Sequence, residues 1–487
     1  MEHRSGCRPL VSPHLRILIF DGHAAPLAEA RAFLECHLNV SIDVIPFYAY
    51  RQFATPRRSS LSEATFSALV NISKTCAFGH GSRGVFNFGP CMDAVHPGWA
   101  DASIMHPLAA DLEQSIDLVL CQFPGWQCSI FDRLRVPFAV RFTHRFDHHI
   151  PGGPMSRYLR RRLTSWASSG RAAIFTDNEF DAQYLWHLTK LVSVPWPSVG
   201  AATVPDPMGH VPEHGTRGRR IRYQWCFCCQ GQPALRHTPI RSLFGRLRRL
   251  ARSHGFQIEH MADARTNGTR GRTLVQSTRC TAFVVVPHSL HAYALVESYA
   301  LGYPLIVPAP SLLAAWHMET SVISDRLAGN LPFHWDRKET TGFTPLTSDA
   351  AHLEQWLAHC DFVRWPYVTL MHDELELPVL MSRTVHVMRP QQREYMDSRA
   401  AASRPLVLAS LLRAIERVRT PGGALNCTEA VGSCRPNGEP PILSAAEWQQ
   451  ANLRRRSRKP KSMPKSRGEP RRGRGAVARA ARTNASK

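Results

Sequence analysis

Residues 284–308 read Val-Val-Val-Pro-His-Ser-Leu-His-Ala-Tyr-Ala-Leu-Val-Glu-Ser-Tyr-Ala-Leu-Gly-Tyr-Pro-Leu-Ile-Val-Pro, an apolar run holding one acid. A buried strand stops at Pro287, a polar loop follows with His288, Ser289, Leu290 and His291, and a helix runs from Tyr293 to Leu301. Gly302 is the expected left-handed residue after that helix, and Pro304 prevents its continuation. The helix is apolar on nearly all sides, so it belongs against a sheet. Glu297 is its one carboxylate, and a buried carboxylate without partners is costly. Two environments satisfy it: an internal arginine or backbone amide, or the hydroxyls of a ligand. Parallel sheets bind ligands beyond the carboxyl ends of their strands, where helix N-termini aim amides at anions. A nucleoside diphosphate at Ser289–His291, with Glu297 accepting from both ribose hydroxyls, would engage all of these groups.

The elements around this segment alternate. Strands are expected at 15–20, 40–47, 116–123, 138–142 and 172–176. Helices are expected at 27–38, at 60–76 opened by a Ser60–Glu63 capping box, at 129–134, at 155–167, and at 178–191 capped by Asp177 or Asn178. Residues 78–107, rich in Gly, Pro and His, read as a long loop. A second series has strands at 221–229, 256–260, 281–286 and 305–307, with helices at 239–253 and 293–301. Apolar strands separated by helices indicate parallel sheets covered on both faces. The expected fold is α/β, with two Rossmann-like domains facing a cleft, C-terminal helices and a disordered basic tail. The expected divisions are a terminal tail over 1–14, a first domain over 15–205, a second over 220–345, a helical extension over 346–420 and a low-complexity tail over 421–487.

Composition narrows the class. The chain has 487 residues, 44% of them hydrophobic and 20% charged, with 30 Gly and 36 Pro. These values exclude collagen-like, coiled-coil and wholly disordered chains. No apolar run reaches the ~18 residues of a membrane helix. The net charge is +22, and residues 454–487 supply +13 of it, with 14 Lys and Arg against the single Glu469. A tail of this kind buries no core. It suits a polyanion or an anionic membrane surface, or it is a solubilising terminus. Of 13 cysteines, Cys36, Cys121 and Cys280 lie in apolar stretches, where reduced core thiols are the default. Cys226-Phe227-Cys228-Cys229 lacks the second pair of a zinc site. Sequons begin at Asn39, Asn71, Asn267, Asn426 and Asn484 and favour the secretory route, although no signal peptide is visible near Met1, which leaves cytoplasm and nucleus open.

The strand–loop–helix–strand segment resembles the donor half-site of GT-B glycosyltransferases, whose second domain carries E-x-x-x-x-G-x-P; here these are Glu297, Gly302 and Pro304. Residues 172–181 are similar to the step that closes the first domain of that family. The resemblance implies a nucleotide-sugar donor held by the second domain, an acceptor glycan, protein or lipid on the first, and no cofactor or obligatory metal. It implies donor contacts at Glu297 and at His288, Ser289, Leu290 and His291, with Arg236 and then Arg241 as diphosphate candidates. Ser289 stands where retaining members carry a further Glu, so the stereochemistry stays open. On the acceptor side it points to His144 as a base or sugar-orienting group, with Asp147 holding its tautomer. His23 is an alternative, Asp21 a runner-up, and His148 and His149 are competitors. The rival reading is a nucleic-acid-associated or non-catalytic protein of the same fold, acting through its basic tail.

Overall fold

The computed structural model describes residues 14–21, 24–46, 60–77, 106–123, 125–132, 134–143, 153–200, 224–228, 238–261, 263–264, 279–287, 292–323, 349–383 and 389–419. Residues 78–105, 201–223 and 420–487 lie outside them, and with them the long loop, the expected domain boundary and the basic tail.

The first half builds a six-stranded parallel sheet. Its strands are β1 (Leu15–Asp21), β2 (Val40–Pro46), β3 (Leu118–Cys121), β4 (Phe138–Phe142), β5 (Ala172–Thr176) and β6 (Val194–Pro195), ordered β2-β1-β3-β4-β5-β6. The helices between them are α1 (Ala24–His37), α2 (Glu63–Ala77), α3 (His106–Ser115), α4 (Gly153–Ser168) and α5 (Glu179–Thr189). The short turn after β3 is a 3-10 helix over Gly125–Phe131, earlier than the sequence suggests. Strand residues split between faces with the period of 2 that a pleat imposes. Leu15, Ile17 and Ile19 join one core cluster, and Leu18 and Phe20 the other.

The second half forms a five-stranded parallel sheet from β7 (Trp225–Cys228), β8 (Ile258–His260), β9 (Ala282–Val285), β10 (Leu305–Pro308) and β11 (Thr369–Met371), ordered β11-β10-β9-β7-β8. Its helices are α6 (Thr238–Arg252), α7 (Tyr293–Ala300), α8 (Pro310–Thr320), α9 (Ala350–Leu357), α10 (Asp361–Arg364) and α11 (Leu377–Arg383). The expectation of two doubly wound sheets with C-terminal helices holds. One correction concerns residues 369–371, which lie in the stretch expected to be helical yet supply the fifth strand of the second sheet.

The last described helix, α12 (Arg389–Arg419), lies in the expected helical extension and carries Pro405 inside it. Its Val407, Leu408, Leu411 and Ile415 are buried with Leu27, Ala30 and Leu34 of α1 on one face of the first sheet. The chain therefore returns from the second sheet to cover the first. α5 also meets the second half: Phe180, Tyr184 and His187 pack around Trp356, and Glu179 pairs with His359 and Arg364.

Two local readings change. The cap of α2 is Ser62, whose hydroxyl accepts from the Thr65 amide at 3.3 Å, while Ser60 instead donates its amide to Asp43 at 2.8 Å. The reduced-thiol reading is overturned for Cys121, bonded to Cys128, and for Cys280, bonded to Cys226. Cys36 and Cys228 are disulfide-bonded too, so Cys226 and Cys228 are not thiolates free for a metal. A bridge within a core is invisible in apolar spacing, because a half-cystine is as apolar as a thiol.

Candidate functional site

The strand orders locate the crevices. In each sheet the chain winds outward in both directions from its first strand, giving switch points between β1 and β3 and between β7 and β9. Ligands of doubly wound sheets bind beyond the carboxyl ends at these points. The residues that follow β7 (229–237) and β9 (288–291) in the second sheet, and β1 (22–23) in the first, lie outside the described residues. His288, Ser289, Leu290, His291, Arg236 and His23 are among them. His144, Asp147, His148 and His149, which follow β4 in the chain, lie outside the described residues as well.

Glu297 and Arg241 are described. Arg241 stands exposed near the start of α6. Glu297 is 3% exposed in α7, a helix with Tyr293, Leu295, Val296, Ser298, Tyr299 and Ala300 also buried. The helix ends as expected, with Gly302 at φ 73° and the Tyr303 amide donating to the Ser298 carbonyl. Its N-cap is Ala292, a residue with no side chain to cap the first amides. The first amides of the helix carry the positive end of its dipole.

The start of α7 is tied to the other sheet. The Tyr293 hydroxyl donates to Asp177 Oδ2 at 2.8 Å. Asp177 directly follows β5, so the carboxyl end of the first sheet abuts the helix springing from the carboxyl end of the second. Asp177 does not cap α5; Asn178 does, accepting from the Asp181 amide at 2.8 Å.

Asp177 belongs to a buried polar group that sequence reasoning missed. Its Oδ1 accepts from Arg141 Nε at 2.7 Å, and Arg141 in β4 is fully buried. The same guanidinium donates to Glu29 Oε2 and to Gln122 Oε1, each at 3.1 Å, and lies 5.0 Å from the Trp196 ring centroid. Gln122 in turn donates to Asp21 at 2.8 Å. Glu29 Oε1 accepts from the Ser198 hydroxyl at 2.5 Å and the Gly200 amide at 2.7 Å. One arginine thus joins α1, the ends of β3 and β5 and, through Glu29 and Asp177, residues 198–200 and α7. Burial, opposed by the Arg141 charge and reinforced by Glu29, pushes the Asp177 carboxyl up to about 7. Burial also raises the Tyr293 phenol, which keeps it a donor. The signal was present in Phe138-Ala139-Val140-Arg141-Phe142, where a charge interrupts a strand that is otherwise core.

Gly200 has φ +86°, and a Cβ there would come 3.0 Å from Ala300 Cβ and 3.3 Å from Glu297 Cα. The backbone leaving the first sheet therefore runs directly against the helix carrying Glu297. Among the described residues no group of His, Cys, Asp and Glu is placed to hold a metal ion.

The chain is similar to glycosyltransferases of known structure. The calicheamicin glycosyltransferase CalG4 aligns over 84% of this chain and 100% of its own, at 10% identity and a TM-score of 0.38. SnogD from Streptomyces nogalater aligns over 80% and 100%, at 13% identity and 0.34. VinC, solved in complex with DTDP, aligns over 83% and 100%, at 13% identity and 0.34. No family model matches the sequence, and no curated protein matches it.

Proposed function

We propose that this protein is a glycosyltransferase moving a sugar from a nucleotide-sugar donor to an acceptor hydroxyl. The observation that carries the reading is the abutment of the two sheets' carboxyl ends at Asp177 and Tyr293, with Glu297 buried one helical turn further along the same face. That contact brings the carboxyl end of β5 beside the helix that follows β9, and in this reading the second sheet takes the donor and the first the acceptor.

In this reading Glu297 accepts from the ribose hydroxyls, and the start of α7 with His288, Ser289, Leu290 and His291 receives the diphosphate, aided by Arg236 or Arg241. The acceptor oxygen attacks the anomeric carbon while the bond from that carbon to the diphosphate oxygen breaks. Negative charge grows on the leaving diphosphate, where amides and guanidinium stabilise it. For an inverting reaction the acceptor proton passes to His144, oriented by Asp147, or to His23. The acceptor is a glycan, protein or lipid.

The test is isothermal calorimetry of a nucleotide-sugar panel against the wild type and Glu297→Ala, with circular dichroism confirming the fold. Donor binding is expected to disappear in the variant. Equal donor affinity in the two proteins would overturn the assignment.

A further inference from the structure

We propose that this chain matures in an oxidising compartment and that Asn39 and Asn71 are acceptor sites for N-linked oligosaccharide. The inference is independent of the glycosyltransferase reading and rests on the sulfur pairs and on where two sequons fall in the fold.

Both sheets contain a disulfide. Cys121 ends β3 and bonds Cys128 in the following 3-10 turn, and Cys226 in β7 bonds Cys280 just before β9. All four sulfur-bearing residues are buried, and Cys36 and Cys228 are disulfide-bonded in addition. Cytosolic thiol reductants keep such pairs reduced in ordinary cells, whereas secretory compartments install them. Each bridge forms as two thiols give two protons and two electrons to a disulfide carrier, which is reduced to its dithiol.

Asn39-Val40-Ser41 and Asn71-Ile72-Ser73 are the sequons within described elements. Asn39 lies exposed in the two-residue link between α1 and β2, its Oδ1 3.3 Å from the His14 ring nitrogen. Asn71 lies exposed on α2. Asn39 directly precedes β2, the edge strand of the first sheet among the described residues, and a bulky hydrophilic group there would hinder pairing of that edge with another chain. Neither belongs to the elements that carry Glu297 or Asp177. In the transfer, the asparagine amide nitrogen bonds the anomeric carbon of a polyisoprenyl-diphosphate-linked oligosaccharide. The bond from that carbon to the diphosphate breaks, one amide proton is lost, and the lipid diphosphate departs.

The experiment produces the full chain in cultured eukaryotic cells twice, once in the cytosol and once behind a cleavable leader that directs it to the secretory lumen. Glycosidase release in heavy-oxygen water marks each occupied asparagine, and non-reducing peptide maps report the sulfur pairs. The lumenal protein is expected to carry glycans at Asn39 and Asn71 and both bridges, with Asn39→Gln and Asn71→Gln each removing one glycan. Ser41→Ala and Ser73→Ala, which abolish the sequons but keep the asparagines, give the same reading if a glutamine variant fails to fold. A folded lumenal chain with both asparagines bare overturns the proposal. So does a cytosolic chain with free thiols at 121, 128, 226 and 280 that melts at the same temperature as the lumenal one.

Discussion

Replacing Arg141 with methionine tests the central claim about the join between the two sheets. Methionine conserves much of the volume and packs in the same apolar surroundings, so the change isolates the charge. It leaves Glu29 and Asp177, 3% and 0% exposed at their side chains, without their cation. Removing one partner of a buried ion pair costs roughly 3–5 kcal/mol. Against a total stability of about 5–15 kcal/mol, that is a large fraction. The triple variant Arg141→Met, Asp177→Asn, Glu29→Gln removes the stranded charges while keeping acceptors for Tyr293, Ser198 and Gly200, and should recover most of the loss. The deficit of the single variant also depends on pH. Asp177 already stands at about 7 in the wild type, raised by burial against the Arg141 charge, and losing that charge pushes its folded-state pKa further up. A carboxyl with a raised folded value contributes stability below its unfolded pKa of about 4 that is lost as pH rises through the folded value. The single variant should therefore fall furthest behind at pH 8 and least near pH 5. The assay is urea denaturation followed by circular dichroism from pH 5 to 8. A cost below about 1 kcal/mol, a deficit constant with pH, or a triple variant no better than the single one would refute the account.

Other perturbations probe the surrounding contacts. Tyr293→Phe keeps the ring but removes the donor to Asp177 Oδ2, and should lower stability by about 1.5–3 kcal/mol, read as a shift in the urea midpoint. Gly200→Ala forces a left-handed alanine whose Cβ meets Ala300 and the Glu297 backbone. It should cost about 1–3 kcal/mol and weaken donor binding in calorimetry, because the helix must yield. Opening the Cys226–Cys280 bridge by Cys226→Ala with Cys280→Ala releases a loop of 54-residue separation, worth about 4 kcal/mol in the chain-entropy model, measurable by calorimetric melting.

The fold was legible where sequence and burial coincide. β4 and β5 match their expected ranges, because mostly apolar stretches of five are bounded by Pro137 or Arg171 on one side and by polar residues on the other. The end of α7 was legible because only a left-handed glycine followed by Pro304 closes it so sharply. β11 was not, since Thr-Leu-Met shows no period and joins the sheet only through β10, more than sixty residues earlier. The disulfides were not, because cysteine positions do not specify pairing. The Ser60 cap failed for another reason: a second serine, Ser62, stood next to the helix, and Asp43 offered the Ser60 amide a better acceptor.

The polar join shows the limit most clearly. Arg141 announces itself as a charge inside a core strand, but its partners stand 36 and 112 residues away in Asp177 and Glu29. Local patterning can say that such an arginine must be paired; only the sheet order, which places β5 beside β4 and α1 over that face, says with what. The same reasoning gives the join a consequence for the candidate site. Tyr293 and Glu297 are four residues apart on one buried helix, and Gly200 reaches that helix from a segment held by Glu29. Arg141 therefore bears on the orientation of Glu297 by two routes: through Asp177 to the start of α7, and through Glu29 to the backbone packed on its middle. A variant that weakens either route should disturb the candidate donor subsite before it unfolds the chain.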